Sequence, residues 1–64
     1  MTFKVIVPGC TATEITAKSR KEARRIVEDA KRAEVAMYRR TGHSGWADHL
    51  AWTYFSDGWV IYEA

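Results

Sequence analysis

The chain has 64 residues, enough for one domain, and a domain of this length buries only about 60% of the surface its unfolded form exposes. Cys10 is the single cysteine, which excludes an internal disulfide, and an apolar content of 47% excludes a disordered chain. The net charge of +2 does not by itself demand a nucleic-acid partner, but all ten Lys and Arg residues lie in the first forty positions while six of the eight aromatics lie in the last 24.

Phe3 to Val7 is short and β-branched, interrupted only by Lys4, and reads as a strand. It is too short for a signal-peptide core, which needs roughly 7–15 apolar residues, or for a membrane helix of about 20. The expectation is therefore a cytoplasmic protein with no membrane contact, its lone thiol kept reduced. Val7-Pro8-Gly9-Cys10 predicts a turn, since proline presets φ and glycine tolerates the positive φ that follows in a type II turn. Thr11 to Ala17 alternates weakly, with Thr13, Ile15 and Ala17 on one side, and completes a hairpin.

Ser19-Arg20-Lys21-Glu22 fits a capping box, in which the serine accepts from the Glu22 amide and the glutamate reaches back to the serine amide. Ala23, Ile26, Val27, Ala30, Ala33, Met37 and Tyr38 recur at three- and four-residue spacing and predict the buried stripe of a helix. Arg39 and Arg40 suit its negative end, and Gly42 suits a C-terminal cap. After a loop at 43–45, Trp46 to Leu50 is ambiguous, because Ser44 can cap a single helical turn there. Ala51 to Phe55 and Trp59 to Glu63 are aromatic and β-branched and flank Asp57-Gly58, which predicts a second hairpin. The expected fold is α+β, in the order ββαββ, with a small antiparallel sheet packed against one long helix.

Two surfaces stand out for function. Lys21, Arg25, Arg32 and Arg39 align opposite the apolar stripe, and with Arg40 they make a basic ridge suited to an acidic protein or a phosphate backbone. The ordinary reading is a solvated helix face with Arg25–Asp29 and Glu28–Arg32 as i,i+4 pairs. The last hairpin carries large apolar side chains on both faces, and one helix covers only one of them. The uncovered face, with Phe55 or Tyr62, then serves a partner or a second copy of the chain. The ordinary reading here is that residues 43–49 fold back over it.

Chemistry is poorly represented. His43, Asp48 and His49, with Cys10 at a distance, match no zinc-ligand spacing, so no metal is expected. There is no glycine-rich phosphate loop, and no base stands near Cys10 in sequence. The expectation is a protein that is not an enzyme, takes no cofactor, and binds a protein or a protein–nucleic acid complex.

Ile15, Ala17, Ser19, Ala23, Arg25 and Ile26, in the string Ile-Thr-Ala-Lys-Ser-Arg-Lys-Glu-Ala-Arg-Arg-Ile, resemble small phage-encoded proteins. So does the closing run from Leu50-Ala51-Trp52 to Asp57-Gly58-Trp59-Val60. The plan is similar to that of small type I anti-CRISPR proteins, a short sheet crossed by one helix. That resemblance implies an inhibitor that docks on the backbone subunits of a type I surveillance complex and blocks target DNA through a basic contact surface. Direct nucleic-acid binding is the other reading; the strands carry only Lys4 and the adjoining Lys18, so helix-borne phosphate contacts are expected rather than readout by the sheet.

Overall fold

The computed structural model describes every residue from Met1 to Ala64. Two strands, β1 (Thr2–Ile6) and β2 (Thr13–Thr16), are followed by helix α1 (Arg20–Arg40), helix α2 (Ser44–Tyr54) and strand β3 (Val60–Glu63). The sheet is antiparallel with the order β2-β1-β3. The fold is thus α+β, with the longer helix packed against a small antiparallel sheet.

The first hairpin forms as the turn residues dictate. The Cys10 amide donates to the Val7 carbonyl at 2.9 Å, and Gly9 takes a φ of +81°. Phe3 pairs with Ile15 and Val5 with Thr13, so Phe3, Val5 and Ile15 share the inner face. Phe3, Val5 and Val7 are buried, and Ile15 packs against them partly exposed.

Both ends of α1 are built as its sequence suggests. Ser19 Oγ accepts from the Glu22 amide at 3.1 Å, while Glu22 Oε1 accepts from the Lys18 amide at 3.2 Å, one residue earlier than a capping box requires. At the other end the His43 amide donates to the Tyr38 carbonyl and the Gly42 amide to that of Arg39, with Gly42 at φ +85°. This is a Schellman closure.

The apolar stripe of α1 is displaced from its expected position. Ala23, Val27 and Val35 are buried, whereas Ile26 is 38% and Met37 43% exposed, and Ala30 and Ala33 face outward. The core therefore lies about a quarter turn round the helix, where Lys31, Glu34 and Tyr38 are half-buried between the apolar positions. The apolar alphabet was spread over two adjacent sectors, and a stripe drawn through their average misses the buried edge.

The second hairpin does not form, so the order is ββααβ rather than ββαββ. Ala51 to Tyr54 belong to α2, and Asp57 and Gly58 connect that helix to β3. Burial decides between the two patterns. Ala47, Leu50 and Tyr54 are buried and Ala51 half-buried, a helical spacing that seats α2 on α1. The competing alternation of Trp52 with Tyr54 counts for less, since Trp52 is 78% exposed. β3 instead pairs with β1, placing Val5 opposite Ile61 and Lys4 opposite Tyr62.

Candidate polyanion-binding surface

α2 runs back along the C-terminal half of α1, and this docking engages two of the five cations expected on the ridge, Arg32 and Arg39. Arg39 Nη1 lies 2.6 Å from Asp48 Oδ1. Arg32 reaches Glu28 at 3.0 Å and its guanidinium stands 5.4 Å from the centre of the Phe55 ring. Arg24 takes the other Glu28 oxygen at 3.2 Å and covers the Trp59 ring at 4.7 Å. Lys31 lies between Glu34, at 3.6 Å, and the Tyr54 ring, at 4.7 Å. Of the two i,i+4 pairs the sequence suggests, Glu28–Arg32 forms, but Glu28 spends its second oxygen on Arg24 and Arg25 stays clear of Asp29.

The seven residues expected at an interface are therefore split among five places. Lys21 and Arg25 are exposed and unpaired near the N-terminal end of α1. Arg32 and Phe55 meet each other at the α1–α2 seam. Arg39 is held by Asp48. Arg40 is exposed on a different flank of α1, and Tyr62 lies on the outer face of the sheet beside Lys4.

The concentration of free charge is at one end. Lys18, Arg20, Lys21 and Arg25 are all exposed without a carboxylate partner, and Arg24 stands among them. Arg20, Lys21 and Arg24 line an open groove of about 580 Å³ whose far wall is Trp59, just before β3, and Ile61 within it. Trp59 is fixed there by its indole N–H, which donates to the Tyr54 carbonyl at 2.7 Å. Arg20, Arg24 and Trp59 were not singled out by the sequence reading. The signal for the first two was present, because cations are concentrated in the first turns of a helix, where the macrodipole disfavours them.

The ligand-type residues His43, Asp48 and His49, at the start of α2 and within it, are engaged with neighbouring side chains. Asp48 belongs to Arg39, His49 stacks on Trp46 with ring centres 5.4 Å apart, and His43 meets the edge of Tyr38. The titration of Tyr54 is displaced. Burial and its donation to Glu34 Oε1 at 2.9 Å push its phenol well above the usual range. Its bond to Glu34 closes the seam between the helices.

No helix is long and apolar enough to cross a membrane. Compared with protein families, characterised proteins and solved structures, the chain matches none.

Proposed function

We propose that the chain is a non-catalytic binding protein whose working surface is the basic N-terminal end of α1. Its partner is a nucleic-acid-handling complex, on which it takes a place otherwise open to DNA. This is the inhibitor role that the resemblance to type I anti-CRISPR proteins implies.

One observation carries the reading. Arg20 and Lys21 occupy the first helical turn and Arg25 the next, unpaired, where a helix favours anions. Each cation placed in a first turn opposes the helix dipole by about 0.3–1 kcal/mol at low salt. A cluster maintained against that cost supports a partner whose negative charge offsets it. Farther along α1, Lys31, Arg32 and Arg39 have internal carboxylates, and the unpaired Arg40 sits in the last turn, where the dipole favours a cation.

A second reading, direct nucleic-acid binding, is supported by the groove itself. Arg20 and Lys21 line it unpaired, and Arg24 lies over the Trp59 ring, so phosphates find free cations there. Two assays separate the readings. An inhibitor releases labelled target DNA from a type I surveillance complex and has little affinity for the DNA alone. A nucleic-acid binder takes up a labelled oligonucleotide unaided, with affinity that falls steeply as salt rises. A chain that does neither overturns both.

A further inference from the structure

Ile26, Ala30, Ala33 and Met37 lie within a sector of about 60° on α1, and all four are exposed. This sector lies to one side of the helix's contacts with α2, β1 and β3. The basic groove and β3 meet α1 through Arg20, Lys21 and Arg24, and α2 meets it through Lys31, Glu34, Arg32, Arg39 and Tyr38. Three turns of a surface helix are thus apolar on one side, with two alanines at the centre, where a neighbouring helix can approach closely.

We propose that a second copy of this chain covers that stripe, as an antiparallel α1–α1′ pair about a two-fold axis between Ala30 and Ala33. The axis places Ile26 against the partner's Met37 and Ala30 against the partner's Ala33, and the same contacts repeat by symmetry. The charges on the adjoining flank choose the orientation. Glu22 and Arg40 lie on one side of the stripe, at opposite ends of the helix. Antiparallel pairing sets Glu22 of each copy beside the partner's Arg40, giving two complementary contacts. Parallel pairing puts these flanks on opposite sides of the seam and forms neither contact. Both groups have capacity for this, since Arg40 has no carboxylate partner within the chain and Glu22 commits only Oε1, to the Lys18 amide.

The apolar contact spans Ile26 to Met37, about 16 Å along the helix. That places it at the small end of specific interfaces and makes a weak, concentration-dependent dimer. The basic sector lies on another side of α1, so pairing leaves it open and places two copies at opposite ends of one assembly. The inference does not depend on what that surface binds.

Sedimentation equilibrium of the full chain from micromolar to millimolar concentration tests the pairing. The expected result is a monomer–dimer equilibrium that Ala33→Glu weakens by about tenfold or more. Position 33 is exposed, so the variant keeps its melting temperature at dilute concentration. Orientation is read by cross-linking in a Cys10→Ala background. Ile26→Cys mixed with Met37→Cys forms a disulfide-linked heterodimer, while each variant alone forms none. A chain monomeric at millimolar concentration, a dimer indifferent to Ala33→Glu, or cross-linking of Ile26→Cys with itself overturns the proposal.

Discussion

Gly9 and Thr53 are in such close approach that no side chain fits between them: a Cβ on Gly9 would lie 2.9 Å from Thr53 Cγ2. The turn of the first hairpin is thereby seated directly on α2. Gly42 has a similar positive φ but open space around it. Gly9→Ala and Gly42→Ala therefore share the cost of left-handed backbone, roughly 1–2 kcal/mol, and only the first adds a collision. Chemical denaturation should show Gly9→Ala as the more destabilising. Thr53→Ser, which deletes the offending methyl and keeps the hydroxyl bonded to the His49 carbonyl, should recover part of the loss. Equal losses in the two glycine variants would remove the contact from the account.

Tyr54 makes stability fall at high pH. Its folded phenol titrates above the ordinary value near 10, because burial and the Glu34 carboxylate both disfavour the phenolate. A group raised in this way contributes stability that is complete below the unfolded pKa and is lost as pH climbs toward the folded one. Melting temperature should hold up to about pH 10 and decline beyond it. Tyr54→Phe should flatten that decline and cost about 1 kcal/mol at neutral pH through the lost hydrogen bond. An alkaline decline of the same size in Tyr54→Phe would assign it to other groups.

The displaced stripe of α1 gives an inverted pair of truncations. Val27 is 4% exposed and Ile26 38%, although isoleucine is the larger side chain. Val27→Ala should cost about 2 kcal/mol, and Ile26→Ala less than that, when both are measured in dilute solution where chains are monomeric. Thermal denaturation at low concentration reads both values. A larger loss at Ile26 would return the core to the stripe drawn from periodicity.

What the sequence made legible, and what it hid, follows one physical division. Local chemistry was readable: Pro8-Gly9 makes its turn, Ser19 caps α1 and Gly42 closes it. Long-range competition was not. Asp57-Gly58 is strong hairpin chemistry, yet Ala47, Leu50 and Tyr54 bury more when 44–54 is helical, and that burial overrides the β-preference of the aromatics. The same competition divided the basic ridge. Periodicity placed Lys21, Arg25, Arg32 and Arg39 on one face, but the Asp48 that holds Arg39 and the Phe55 beneath Arg32 arrive on and just past a helix of which the sequence offered only a single turn, at 46–50.

The claim that the N-terminal end of α1 is the working surface is tested most directly by Arg20→Glu combined with Lys21→Glu. Both side chains are exposed and unpaired, and acidic residues suit a first turn, so the variant should melt at or above the temperature of the wild type. The measurement is fluorescence anisotropy of labelled target DNA, titrated with the chain in the presence and absence of a type I surveillance complex. The wild type should release DNA from the complex, or bind the DNA itself, and the folded double variant should do neither. A double variant that matches the wild type in this titration would contradict the account.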